Sequence, residues 1–369
     1  MTNVMTETTL AAQLPQNLTQ PAITRPKTNH AVWYALLVVL IVIAFLAEVT
    51  IGAVRIPLLA IWQLITGGQV EKETWSNILF AFRFPRAVNA LFSGAALGAC
   101  GLLLQTLFRN PLADPFVLGV MHGSRLGVAL LVVTSGLAGN AFLYQYGIVG
   151  DVGIALASAL GSTLVLLLLA ALAKRVSTVT LLIVGLMLGY LCVGLISVLL
   201  HFIDETQAQA FSSWDDGSFA GATRQQLSIL LPGIVIGIAL ASVLVKPLNA
   251  LLLGENYAQS LGLNVTHVKR LGFIATGVLA GVVTAYCGPI AFLGIVAAHL
   301  GRGLFRTSDH RVLMPGVLLL GALLGLLCDL ITHLPWSRHF LHLNAVNGLI
   351  GAPLVLWALL DRKRGIRFE

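Results

Sequence analysis

The chain has 369 residues, 57% of them hydrophobic and only 10% charged, with a mean hydropathy of +0.90. Soluble domains carry roughly 25% charged residues, so this balance excludes a globule with a polar coat. The net charge of +7 would point a soluble chain towards nucleic acid, but the basic residues sit in short loops between apolar runs, which reads as membrane topology with no nucleic-acid partner.

Residues 1–30 are polar and read as a disordered cytoplasmic tail. Arg25 and Lys27 precede the first apolar run, and no small-residue cleavage site follows it convincingly, so the first span is expected to stay uncleaved. Uncharged stretches of 22 residues at Ala87–Phe108, 25 at Leu126–Gly150, 22 at Val152–Ala173, 28 at Val176–Ile203 and 21 at Gln225–Val245 recur along the chain. A hydrocarbon core of about 30 Å needs about 20 helical residues. The expected fold is therefore an all-α polytopic membrane protein of about ten helices, at 31–52, 87–108, 117–136, 148–173, 177–201, 226–246, 270–288, 290–305, 313–333 and 344–360. Leu271–Gly301 is one uncharged run of 31 residues, and Gly288-Pro289 supplies the turn that divides it. The transmembrane domain then covers 31–361, followed by a basic cytoplasmic tail at 362–369.

With the N-terminus inside, the inward loops hold 15 Lys/Arg and the outward loops six, which puts both termini in the cytoplasm. Small residues recur at four-residue spacing (Gly94 and Gly98, Gly119, Gly123 and Gly127, Gly277 and Gly281, Gly321 and Gly325). That spacing lets helix backbones approach closely in lipid, where no hydrophobic force drives helices together. Cys100, Cys192, Cys287 and Cys328 stand singly, without metal-ligand spacing, and read as small reduced packing residues.

Four features break the apolar background. The first is a corner of Arg109, Asn110, Pro111, Asp114 and Pro115 between two spans on the cytoplasmic side. Its prolines bias Asn110 and Asp114 away from helix, and Arg109 complements a helix C-terminus; a rigid interhelical turn is the plainest reading. The second is "LNALLLGENYAQSLGLN", Leu248–Asn264, expected to form a cytoplasmic helix over about 249–263 whose apolar face includes Leu253, Tyr257, Ala258 and Leu261, beside Glu255 and between Gly254 and Gly262. It reads either as a docking knob or as a helix lying in the lipid interface. The third is Arg83 and Arg86 of "RFPR" at an outer mouth, where headgroups or the carboxylates of an outside partner would satisfy them. The fourth is His122 and Arg125 within the third span, where charge is costly and usually faces a cavity or a partner.

At these residues the chain closely resembles the membrane subunits of type II ABC importers for iron–siderophores, haem and cobalamin. The matching pieces are "RFPRAVNALFSGAALGACGLLLQTLFRNPLADPFVLGV", "WDDGS", "KPLNALLLGENYAQSLGLNV", "CGPIAFLGIVAAHLGR", "SDHRVLMPGVLLLGALLGLLCDL" and "NGLIGAPLVLWALL", in the family's order over most of Arg83–Leu360. The resemblance implies a homodimer in a bacterial inner membrane, two cytoplasmic ATPase subunits and a periplasmic substrate-binding protein. It makes Arg83 and Arg86 docking arginines for that protein, and Gly254–Gly262 the helix that enters the ATPase. The 109–115 corner becomes a stiffener near the ATPase.

No lysine follows a glycine, so no phosphate loop exists. The chain is expected to be a transport subunit that binds no cofactor or metal, with ATP and Mg on the partner ATPase. Departures from the family pattern are His122 and Arg125 where relatives carry small residues, and His333 where they carry a further docking arginine that Arg338 could replace. Ala298 stands where a proline precedes the histidine matched by His299, and Asn344–Asn347 replaces a Pro-Val-Gly turn. The outer loop "HLPWSRHFLHLN" offers imidazole, aromatic and guanidinium groups suited to haem, which ranks haem first as cargo, ferric siderophore second and cobalamin third. An ion-coupled secondary transporter using Asp329 is the rival of another class.

Overall fold

A computed structural model describes residues 29–52, 54, 56–66, 68, 72–137, 148–173, 175–333 and 341–360. All regular structure among the described residues is helical. In chain order the helices are α1 (His30–Thr50), α2 (Leu58–Ile65), α3 (Glu73–Asn77), α4 (Phe84–Leu107), α5 (Val120–Leu137), α6 (Ile148–Leu172), α7 (Thr178–Leu200), α8 (Glu205–Asp215), α9 (Arg224–Val243), α10 (Val245–Leu252), α11 (Glu255–Ser260), α12 (Val265–Cys287), α13 (Leu293–Phe305), α14 (His310–Thr332) and α15 (Leu343–Leu360). Seven helical stretches are long and apolar enough to cross a membrane, namely α1, Thr74–Leu107, most of α6 and α7, α9, α12 and α14. Three shorter apolar helices, Val120–Thr134, Leu293–Phe305 and Leu343–Leu356, accompany them. The expected tails lie outside the described residues, apart from Asn29 and His30.

α4, α12 and α14 form the centre, with 78%, 78% and 61% of their apolar windows buried, whereas α1, α6, α7 and α9 bury no more than 33%. The peripheral helices present Leu160, Leu164, Val179 and Leu191 outward, as lipid-facing surface should. Backbone contact closes the centre. A Cβ at Gly94 would overlap the Gly321 carbonyl oxygen, and one at Gly98 would lie 2.7 Å from the Val317 carbonyl oxygen. Antiparallel packing of α4 on α14 is fixed at one end by Thr106 Oγ1 and His310 Nε2, 2.8 Å apart, and at the other by Arg86 on Asp329.

Two expectations need correction. The second span does not begin at 87: the chain is helical from Glu73 through Leu107, with a π-turn over Ile78–Arg83. Pro85 looks like a helix break because it lacks an N–H. It occupies the first turn of α4, and the wide turn before it takes up the missing donor. The expected helix over 249–263 is also two helices, α10 and α11, broken at Leu253-Gly254, where Gly254 has φ +117°. Only glycine adopts that conformation without strain. Gly288, at φ 69°, ends α12, so the sequence-based division of the long apolar run falls where the chain turns.

Candidate functional site

At one end of the bundle, α10 and α11 stand out as a knob. Leu251 and Ala258 are buried beneath it, at 3% and 0% exposure, while Leu253, Tyr257 and Leu261 are 67%, 51% and 62% exposed. More than half of each of these three residues is left uncovered by the chain, and Gly262, in the left-handed region, turns the backbone behind them. The knob is anchored on three sides. Lys269 Nζ of α12 donates to Glu255 Oε1 at 2.7 Å, and Arg109 Nη2 donates to the Leu251 carbonyl at 3.0 Å. Asn249 Oδ1 accepts the His310 N–H at 2.8 Å at the start of α14.

Arg109 belongs to the proline corner. It sits at φ 47° two residues after the end of α4, and its side chain reaches back onto the knob. Asn110 Oδ1 accepts the Leu112 N–H and Asp114 Oδ1 the Phe116 N–H, at 2.9 and 2.8 Å. These short side chain-to-backbone bonds hold the turn where Pro111 and Pro115 remove donors. Asp114 is buried, and its carboxylate also lies on the N–H of Ile295 in the first turn of α13. Burial pushes its pKa up to about 6, against the pull of the Phe116, Ile295 and Val117 N–H groups. The corner therefore links α4, α5, α13 and the knob.

Within the bundle, Arg125 on α5 pairs with Asp215 at the end of α8 and lies 2.8 Å from His122 Nδ1. α8 lies between two long apolar helices, and Phe211 seats it on Val128, Val132 and Ile196. Sequence reasoning singled out His122 and Arg125 but not Asp215. The signal was available in "WDDGS", two acids beside an aromatic ring in a stretch too short to span. Asn344, noted in the sequence only as part of a replaced turn, donates its side chain to the Pro289 carbonyl at 2.8 Å and accepts from the Ala291 N–H at 3.0 Å. It thereby stitches the α12–α13 turn to α15.

At the opposite end Arg83 and Arg86 point into the protein. Arg83 donates to the carbonyls of Val49 and Thr50, each at 2.9 Å, and to that of Val54. Arg86 forks onto Asp329 at 2.7 and 2.8 Å and donates to the Thr332 hydroxyl at 2.9 Å. Both guanidinium groups are thus occupied within the chain. Glu48 on α1, which drew no attention in the sequence, is buried beside them, 3.5 Å from Arg86 Nε. Arg338 lies outside the described residues. His333 turns inward, with Nδ1 2.8 Å from the Asp329 carbonyl.

The chain matches the model of the FecCD transport family over residues 39–361. It is 36% identical over 307 residues to the vitamin B12 import system permease protein BtuC of Salmonella paratyphi A, covering 82% of this chain and 89% of that protein. The BtuC of Salmonella typhimurium strain LT2 is 36% identical over 305 residues, again 82% and 89%. Among solved structures, an inward-facing transporter assigned to the metal-chelate type of ABC transporter superposes with a TM-score of 0.74 at 27% identity, covering 88% of this chain and 98% of that one.

Proposed function

The chain belongs to the FecCD transport family, as a multi-pass permease of the type II ABC importers, and from that premise we propose that two copies form the pathway for a metal chelate crossing the inner membrane from periplasm to cytoplasm. About ten helices cross the bilayer, with both termini cytoplasmic, and the chain is a transport subunit rather than an enzyme. The knob of α10 and α11 faces the cytoplasm and docks a separate ATPase, which holds the ATP and Mg. A periplasmic binding protein docks at the end marked by Arg83 and Arg86, with Arg338 as a further docking residue named from the sequence. The observation that carries this reading is the uncovered trio Leu253, Tyr257 and Leu261 on a knob tied by Arg109, Lys269 and Asn249 to three central helices. An apolar patch on so rigid a base is a surface for a partner that pushes.

Cobalamin is the first cargo to test. Similarity to vitamin B12 permeases at 36% identity supports a corrinoid. The case for haem rests on the outer loop, whose Trp336, Arg338, His339 and Phe340 lie outside the described residues; His342 is exposed, and His333 turns Nδ1 inward onto the Asp329 carbonyl. Haem and ferric siderophore are the competing cargoes. The experiment is reconstitution in proteoliposomes with the ATPase and binding protein, followed by ATP-dependent uptake of radiolabelled cobalamin, haem and a ferric siderophore. Uptake of one chelate that stops without ATP supports the reading. Uptake that continues without the ATPase and collapses with an uncoupler establishes a secondary transporter instead.

A further inference from the structure

Glu48, Asp329 and His333 meet at the end of the bundle away from the knob. One ligand-capable atom from each lies within 4.8 Å of the others, and this is the single such group among the described residues. We propose that these three residues form a metal site for a borderline divalent cation such as Zn2+, tying α1 to the end of α14. The proposal does not depend on the transport reading.

The histidine is set up as a ligand. Its Nδ1 faces the Asp329 carbonyl oxygen at 2.8 Å. A carbonyl oxygen only accepts, so Nδ1 carries the proton and Nε2 of the neutral ring presents a lone pair. Metal-bound histidines commonly have this arrangement, with the far N–H fixed by a backbone carbonyl. Nε2 faces Glu48 Oε1 at 3.4 Å. That is long for a hydrogen bond, yet ligands about 2.0–2.1 Å from a tetrahedral Zn2+ stand about 3.3 Å apart.

Glu48 lies against both of the other members of the group. Its side chain is 1% exposed, and its carboxyl hydrogen-bonds the carboxyl of Asp329. Its close charged neighbours are the Asp329 carboxyl, His333 Nε2 at 3.4 Å and Arg86 Nε at 3.5 Å. Two carboxyls buried this close are costly unless a proton or a cation lies between them, and Zn2+ would take the place of the proton. Asp329, by contrast, is held in place by the Arg86 fork. Each carboxylate oxygen has two lone-pair sites, so the fork leaves Asp329 able to bind a cation while orienting it, as outer-shell partners do. One imidazole with two carboxylates favours Zn2+ over Mg2+ or Ca2+, which prefer all-oxygen shells.

The test uses the full chain purified in detergent, stripped with EDTA and exposed to Zn2+ in competition with a chromophoric chelator. The expected result is one Zn2+ per chain, higher thermal stability with Zn2+, and X-ray absorption showing nitrogen and oxygen neighbours at about 2.0–2.1 Å. Glu48→Gln and His333→Ala should each weaken binding about tenfold or more, while His342→Ala, at an exposed histidine, leaves it unchanged. The melting comparison needs no variant, so poor folding of a mutant cannot protect the idea. A wild-type chain that takes up no Zn2+ at micromolar concentration overturns it, and the pair then holds a proton instead. Binding that survives both substitutions overturns it equally.

Discussion

Replacing Leu253 and Leu261 together by serine should detach the motor from the permease without unfolding it. Full burial of a leucine contributes roughly 1.5–3 kcal/mol. These two side chains are 67% and 62% exposed, so docking can recover at most about two-thirds of that, or about 1–2 kcal/mol each. The double substitution then costs up to about 2–4 kcal/mol of docking, from roughly thirtyfold to several-hundredfold in affinity at 1.4 kcal/mol per decade. Only about a third of each residue is covered by the chain, so stability should move by less than about 1 kcal/mol. The assay is titration of the purified ATPase subunit onto permease in nanodiscs, with a thermal melt of the permease alone. Leu251→Ala is the contrast: at 3% exposure its loss should lower the melting temperature, at about 2–5 kcal/mol for a buried leucine. Docking that stays within about twofold of wild type in the serine variant, with the fold intact, would refute the assignment of this knob as the motor contact.

Three further outcomes are expected. Gly94→Ala places a methyl against the Gly321 carbonyl, which cannot rotate away; it should destabilise by about 1–3 kcal/mol, read as a lower melting temperature, and an unchanged melt would mean α4 and α14 are farther apart than described. Arg125→Ala and Asp215→Ala should each reduce transport more than the double variant does, because either single change strands a poorly solvated charge; additive losses would show that the two residues act separately. For Asp114, whose pKa is raised to about 6, the fold favours the protonated acid. Its contribution is therefore complete below the ordinary carboxylate range and lost as pH rises to about 6. Asp114→Asn should gain on wild type in melting temperature between about pH 4 and pH 6, and a pH-independent difference would count against the burial of that carboxyl.

Hydropathy located the apolar helices to within a few residues because lipid imposes a length and a composition on each of them. α6 and α7 begin at Ile148 and Thr178 against expected starts of 148 and 177. The start of α4 was not legible: Pro85 reads as a break, and only the π-turn over Ile78–Arg83 makes it acceptable. α8 was missed because an 11-residue polar helix looks like a loop when the helices around it are not known. At the site, the residue types were legible and their partners were not. Arg86 was read as reaching outward for a carboxylate, yet the one it grips, Asp329, lies 243 residues along the same chain. Glu48 gave no signal at all, since a single acid near the end of an apolar run is ordinarily an interface residue.

α14 is gripped at both extremities, by Asn249 at His310 and by Arg86 at Asp329, and along its length it lies carbonyl-to-glycine on α4. Its 23 residues make a strut of roughly 34 Å. Interlocked backbones cannot slide past each other by a helical turn, so the two helices must travel as a single lever. A tilt begun at the Leu253 knob would then arrive undiminished at the Glu48–Asp329 mouth, with no relay of side chains needed to carry the message.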